Sequence, residues 1–281
     1  MKKLHIIIIA IILAALVFFL LREFVFGGKG RLNKPESVVY DNLNDRYLIS
    51  NTGNGTIVAM DMEGKITPFI IEGLKSPKGM KLGDFYLYVT DLTRFHAIDL
   101  KKGTIAETFE IEGAKSLNDI EIDENGLFYI TDTEANALFI FDKNKGAVEK
   151  TIKHELLTKP NGIAYDRPGY RMLIVCQKPA SPILEYKIAS QEVGVFMNTL
   201  YSDLDGITII EEHGEGEQEH GAIYFTSWGQ EKIYRIPPEL NRIEPLDGDY
   251  PSPADLIYNS KTKELVIPLM TKNEIVMRKI L

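Results

Sequence analysis

Four residues of metal-ligating type stand far apart in the chain yet share one local setting: Glu36, Asn118, Asn161 and Asp205. Each is the second residue of a short unit, namely Pro35-Glu36-Ser37-Val38, Leu117-Asn118-Asp119-Ile120, Pro160-Asn161-Gly162-Ile163 and Leu204-Asp205-Gly206-Ile207. Two further copies, Pro77-Lys78-Gly79-Met80 and Pro253-Ala254-Asp255-Leu256, carry lysine and alanine in that place. Brought together, two carboxylates and two carboxamides would offer hard oxygen ligands. Such a set suits one Ca²⁺, or another divalent cation, with waters or substrate completing the shell. The alternative is that the four groups hydrogen-bond one another in a wet channel.

What would bring them together is the repeat itself. The units recur about every 40 to 50 residues with strand-like content between them, which is the pitch of β-propeller blades. Ile71-Glu72-Gly73-Leu74-Lys75-Ser76 is echoed by Ile111-Glu112-Gly113-Ala114-Lys115-Ser116, the mark of a duplicated unit. After each slot come an apolar strand, a turn and a second strand. Tyr47 to Ser50, the turn Asn51-Thr52-Gly53-Asn54-Gly55 and Thr56 to Met60 show this in the first unit. Related strand pairs are predicted at 85–90 with 95–100, 127–131 with 137–141, 171–176 with 183–188, 222–226 with 232–236, and 264–268 with 274–280. No helical period of useful length competes with them. Since the first strand of every propeller blade lines the central channel, the second slot residues should converge there. The expected fold is therefore all-β: a six-bladed β-propeller over residues 28–281, behind an N-terminal segment over 1–27. The sixth unit stops at its third strand, so the segment before Pro35 is expected to add the missing outer strand and close the ring.

That N-terminal segment reads as a signal anchor or transmembrane helix. Lys2 and Lys3 precede a charge-free run from Ile6 to Leu21, extended by Phe24-Val25-Phe26, and no small-residue cleavage site follows. The positive-inside bias puts the N-terminus in the cytoplasm and the propeller outside, periplasmic or extracellular; cleavage would make the protein secreted. The 281 residues are 44% apolar and 26% charged, an ordinary globular balance, with a net charge of −8. No basic cluster with interleaved aromatics offsets that charge, which argues against a nucleic-acid partner. Cys176, in an apolar run, reads as a buried strand residue, and the protein is otherwise expected to be monomeric. The stretch Glu211 to Gly221 reads as an exposed acidic hairpin loop. His213 and His220 sit in that loop with several carboxylates and could bind a metal, although glycine-spaced acidic runs are usually solvated; His5, His96 and His154 elsewhere lack a second residue spaced for catalysis.

The slots resemble those of the six-bladed calcium-dependent hydrolases that include the SMP-30/gluconolactonase proteins, the paraoxonases and the squid-type diisopropylfluorophosphatase. In that superfamily the catalytic calcium is held by Glu from the first blade, Asn from the third and fourth, and Asp from the fifth, the order of Glu36, Asn118, Asn161 and Asp205. Asn118-Asp119-Ile120 and Pro160-Asn161-Gly162-Ile163-Ala164 resemble the paraoxonase strings. Asp205-Gly206 and Ser227-Trp228-Gly229 are similar to the gluconolactonase ones. The resemblance runs from about Pro35 to the end. Lys78 stands where paraoxonases place a histidine and Leu92 falls near its partner histidine, so that pair is not carried over. Ser37 does not match the acidic residue of the paraoxonase structural calcium, and no such second site is expected.

The resemblance implies a lactonase or esterase acting on a small-molecule lactone or ester. The metal would polarise the carbonyl, and Asp205 would be general base or nucleophile. Lys78 would orient the substrate or neutralise charge, or else replace the metal by pairing with Glu36 and Asp205. Trp228 either walls the pocket or packs between blades, and Asp119 is a further candidate substrate contact. Two rivals stand beside this: an organophosphate or phosphotriester hydrolase on the same site, and a non-enzymatic extracytoplasmic binding propeller of NHL type.

Overall fold

The computed structural model describes residues 30–83, 85–210 and 221–280. The predicted anchor over 1–27 lies outside the described residues, as do His5, His213, His220 and the acidic loop up to His220. Among the described residues no helix is long and apolar enough to cross a membrane.

The described residues form six antiparallel sheets in sequence order, five with four strands and the last with three. Blade 1 is β1 (Pro35–Asp41), β2 (Arg46–Asn51), β3 (Thr56–Asp61) and β4 (Ile66–Ile70). Blade 2 is β5 (Pro77–Gly83), β6 (Tyr86–Asp91), β7 (Arg94–Asp99) and β8 (Thr104–Glu110). Blade 3 is β9 (Leu117–Ile122), β10 (Leu127–Asp132), β11 (Ala137–Asp142) and β12 (Ala147–Ile152). Blade 4 is β13 (Pro160–Asp166), β14 (Arg171–Cys176), β15 (Ile183–Lys187) and β16 (Glu192–Met197). Blade 5 is β17 (Leu204–Ile210), β18 (Ala222–Ser227), β19 (Lys232–Ile236) and β20 (Glu244–Pro245), and blade 6 is β21 (Ile257–Asn259), β22 (Glu264–Leu269) and β23 (Glu274–Lys279). Every slot thus opens or immediately precedes the innermost strand of a blade.

The second and third strands are buried on both faces because each blade is sandwiched between two neighbours, so they are nearly continuous apolar runs. Packing follows that geometry: there are six clusters of buried side chains, one between each pair of successive blades. Cys176 belongs to the cluster between blades 3 and 4, and burial pushes its thiol up to about 12, as befits an inert core residue.

Of the segment before Pro35 only residues 30–34 are described, and none of them adds a strand to blade 6. Asn33 and Lys34 instead lie on the turn of blade 1, where Gly53 and Thr52 donate backbone N–H groups to their carbonyls at 3.1 Å each. Asn51 Oδ1 takes the Asn33 N–H at 2.9 Å, and Lys34, left-handed at φ 50°, then swings the chain into β1. The Lys34 N–H also reaches Asn273 Oδ1, just before β23, at 2.7 Å. Blade 6 is joined to blade 1 by the Asp255 N–H bonded to the Glu36 carbonyl at 3.1 Å and by packing of Val38, Tyr47 and Ile49 on Val266, with Leu32, Ile257 and Ile275 around them.

Candidate metal centre

Each slot is a place where the inner strand slips against the second strand. Pro35 pairs with Asn51 and Val38 with Ile49, so Glu36 and Ser37 together face the single residue Ser50. The same shift occurs at Pro77/Met80, Pro160/Ile163, Leu204/Ile207 and opposite Ile130/Asp132. A bulge of this kind bends the strand and re-aims a side chain. Here it delivers the second slot residue to the channel. Room is made by glycine at the third position: a Cβ on Gly162 would lie 2.4 Å from the Asp205 carbonyl, and one on Gly79 2.3 Å from Asp119 Oδ1.

A hydroxyl on the second strand locks the bulges to one another. Thr131 Oγ1 accepts the Asp119 N–H at 2.9 Å and donates to the Asn161 carbonyl of the next blade at 2.5 Å. Thr226 does the same between Gly206 N–H and the Ala254 carbonyl, at 2.8 Å each. Thr90 donates to the Asn118 carbonyl at 2.5 Å. The echoed Lys-Ser pairs have a matching cause: their N–H groups bond the carboxylates of Asp91 and Asp132, which pins the approach to slots 2 and 3.

Glu36, Asn118, Asn161 and Asp205 are all buried on four inner strands, 4 to 6% exposed. Asn118 Nδ2 donates to Thr133 Oγ1 at 3.0 Å, which leaves its amide oxygen as the acceptor end. Burial first, then repulsion by Asp205, holds the Glu36 carboxyl well above the usual carboxylate range. Burial likewise raises Asp205 to about 7; Lys78, the Asn161 amide and the Trp228 indole oppose the rise, and Asp119 adds to it. Glu36 Oε2, Asp205 Oδ1 and Trp228 Nε1 are nonetheless buried without a hydrogen-bond partner among the described residues. The indole therefore faces the carboxylate without closing a bond to it. Lys78 is in no salt bridge with a described residue; its charge reaches Glu36 and Asp205 from further away. Among the described residues no group of three or more His, Cys, Asp or Glu is arranged to hold an ion. Any cation here would depend on the two carboxamides as well as the two carboxylates, which is a calcium-like rather than a zinc-like donor set.

Asp119, the further candidate substrate contact, accepts the N–H groups of Ile120 at 2.8 Å and Ile163 at 2.9 Å, tying blade 3 to blade 4. A residue that the second-position reading passed over is Asp255. Its Oδ2 accepts from Ser37 Oγ at 2.7 Å, and burial lifts its carboxyl to about 7. Burial and then the Asp255 charge raise Asp119 too. The third slot positions, Ser37, Gly79, Asp119, Gly162, Gly206 and Asp255, thus add further acid beside the second-position ring. Aligning third residues as well as second ones would have found it. His96, buried in β7, bonds Thr108 Oγ1 at 2.9 Å and lies 3.5 Å from Asp91, in the body of blade 2.

No family model matches the chain, and no curated protein does. Solved structures do match. A streptogramin B lyase superposes with a TM-score of 0.63 at 16% identity, over 88% of this chain and 95% of that one. A catalytically inactive virginiamycin B lyase from Staphylococcus aureus with quinupristin, altered by replacing a histidine with alanine, gives 0.61 at 17% identity, covering 88% and 80%. The mitotic checkpoint complex gives 0.62 at 11% identity, covering 88% and 74%. Enzymes and a checkpoint assembly match equally well, so the likeness concerns the propeller fold and not its use.

Proposed function

We propose that the protein is a calcium-dependent hydrolase of a lactone or related ester, with one Ca²⁺ held by Glu36, Asn118, Asn161 and Asp205. The observation that carries this reading is the pair of buried carboxylate oxygens, Glu36 Oε2 and Asp205 Oδ1, that have no donor. Unpaired buried carboxylates are costly, and Lys78 does not neutralise them by a salt bridge. A dication would. When bound, the ion would supply positive charge to polarise the carbonyl and to stabilise the oxyanion that develops there.

The chain's own groups do the rest. Ionised Asp205 takes a proton from water as the water oxygen adds to the carbonyl carbon. The carbon–oxygen bond to the leaving alcohol then breaks and the proton is returned to that alcohol, giving a hydroxy acid from a lactone. Direct attack by Asp205 on the carbonyl is the other course open to it. Lys78, whose charge reaches both acids without a salt bridge to a described residue, would orient a carboxylate or hydroxyl on the substrate, and Trp228 would wall the pocket next to Asp205.

Among the described residues no histidine stands in the slots, which is why the hydrolase reading is preferred to the lyase reading that the structural neighbours suggest. One of those lyases is inactive without a particular histidine, whereas the described histidines here are His96, inside blade 2, and His154, exposed in the loop before β13. A phosphotriester hydrolase would use the same groups. A panel of lactones, aryl esters and phosphotriesters, each assayed with millimolar Ca²⁺ and with chelator, tests the proposal. Lactone turnover that chelator removes and Ca²⁺ restores is expected. Turnover only of phosphotriesters moves the assignment to the rival, and no Ca²⁺-dependent turnover of any substrate refutes it.

A further inference from the structure

We propose that the open edge of β23 is covered by the chain's own residues 22–28, which pair with it antiparallel as the fourth strand of blade 6. This does not depend on the hydrolase reading. Among the described residues blade 6 has three strands where the other five blades have four. Its outermost strand, β23, therefore presents backbone groups with no described strand beside them, flanked by Ile275 and Val276, half-buried, and Met277, 39% exposed. Such an edge is a template for one more strand.

The way residues 32–34 enter blade 1 selects the occupant. At the entry to blade 4 the chain has just left β12, the fourth strand of blade 3, and the Lys159 N–H meets Asn136 Oδ1 at 2.7 Å. Asn136, left-handed at φ 51°, is the residue before the third strand, β11. At the entry to blade 1 the Lys34 N–H meets Asn273 Oδ1, also at 2.7 Å, and Asn273, at φ 55°, is the residue before β23. Lys34 and Lys159 are both left-handed, at φ 50° and 49°. Both their carbonyls accept an N–H from just after the second strand, from Thr52 at 3.1 Å and from Gln177 at 2.8 Å. Leu32, three residues before its slot, packs between blades 6 and 1 as Leu74 and Leu157 pack between theirs. Residues 32–34 thus follow the path of a chain that has just left the outer strand of the preceding blade.

Length and composition name that strand. Six or seven residues separate each outer strand from the next slot, which sets the end of this one at Gly28 or Gly27. Arg22-Glu23-Phe24-Val25-Phe26 precede it, and aromatic and β-branched residues fit a half-buried pleated surface. On β11 and β12, Leu138 pairs with Ile152, Ile140 with Lys150 and, past a bulge, Phe141 with Val148. The same register on β23 sets Ile275 beside Gly27, Met277 beside Val25 and Arg278 beside Glu23, so that opposite charges face each other in the last pair. The same segment of a second copy would have to compete with one that the Lys34 bond to Asn273 already holds at the end of the edge. A strand antiparallel to β23 runs towards the slots, so the charge-free run from Ile6 to Leu21 would join the propeller at the opposite face.

The test uses the full chain in mild detergent, with Met277→Cys on β23 and Phe24→Cys, Val25→Cys or Phe26→Cys in turn; native Cys176 is buried and does not compete. Mild oxidation should give an intrachain disulfide in at least one of the three pairs, seen on a non-reducing gel and located by mass spectrometry of peptides, because facing residues on paired strands lie within disulfide reach. Val25→Cys with Glu107→Cys on β8, the outer strand of blade 2, should give none. Amide hydrogen exchange supplies a second reading. Val25→Pro with Phe26→Pro removes the N–H groups on both sides of the segment, and should speed exchange of the outward amides of β23 by about tenfold or more while leaving β8 unchanged. Disulfides that join two chains would put a second copy on the edge and overturn the proposal. So would the absence of a disulfide in all three pairs, or β23 amides indifferent to the proline variant.

Discussion

In the proposed hydrolase, Asp205 and Lys78 would divide the chemistry between them. Asp205→Asn keeps an oxygen ligand but loses the charge and the proton acceptor, so kcat should fall by about 10²- to 10⁴-fold while Ca²⁺ binding weakens by less. Calorimetric titration beside steady-state kinetics checks the split, and near wild-type turnover would reduce Asp205 to a ligand. Lys78 poses the opposite question. An ammonium within about 6 Å of a dication is repelled even at an effective dielectric near 20, so Lys78→Met should leave Ca²⁺ affinity equal or tighter and raise KM for acidic or hydroxylated lactones. A Lys78→Met protein that unfolds without metal, together with a wild type indifferent to Ca²⁺ and chelator, would mean that the lysine stands in for the ion.

The bulge with its hydroxyl bridge is the element that makes one site out of six separate blades. Ser50, Thr90, Thr131 and Thr226 lie opposite the bulges, whereas Val175 and Pro268 fill that place in blades 4 and 6. Removing one bridge leaves a buried N–H and a buried carbonyl without partners, so Thr131→Val should cost about 1–3 kcal/mol of stability. Denaturant unfolding checks this, and Val175→Ala at the hydroxyl-free place should act only through lost packing. Gly162→Ala forces a methyl onto the Asp205 carbonyl, 2.4 Å away. It should therefore lower Ca²⁺ affinity as well as stability, by about 1–3 kcal/mol, because the strand that carries Asp205 has to move.

At the scale of the whole molecule the channel is a store of buried acid. Without metal, Asp205 and Asp255 titrate near 7 in the folded protein, raised by burial, against about 3.9 in the unfolded chain. Between those values the folded state binds more protons than the unfolded one, so stability falls as pH rises from about 4 to 7 and then levels off. The metal-free protein should therefore melt at a lower temperature at pH 8 than at pH 5. A cation specific for the folded, ionised channel reverses this, adding about 2.7 kcal/mol at a hundredfold excess over Kd. Thermal scans at both pH values, with Ca²⁺ and with chelator, should show the larger gain at pH 8; a Tm independent of Ca²⁺ at pH 8 would count against a channel metal.

The repeat, the six blades and the inner, second and third strands were legible in the sequence, because these strands are buried on both faces and must be apolar. The outer strands were not: β8 and β12 are largely exposed and polar, and only backbone pairing with the third strand makes them strands. Glu36, Asn118, Asn161 and Asp205 stood out because one bulge recurs, and a recurring bulge leaves a recurring string. Three things depended on tertiary structure. The first is how the ends of the ring meet, since Lys34 bonds Thr52 of blade 1 through its carbonyl and Asn273, beside β23, through its N–H. The second is the acid at Asp119 and Asp255, which interact through space across different blades. The third is the absence of a salt bridge from Lys78 to any described residue, because whether an ammonium meets a carboxylate depends on distances between blades that share no sequence neighbourhood.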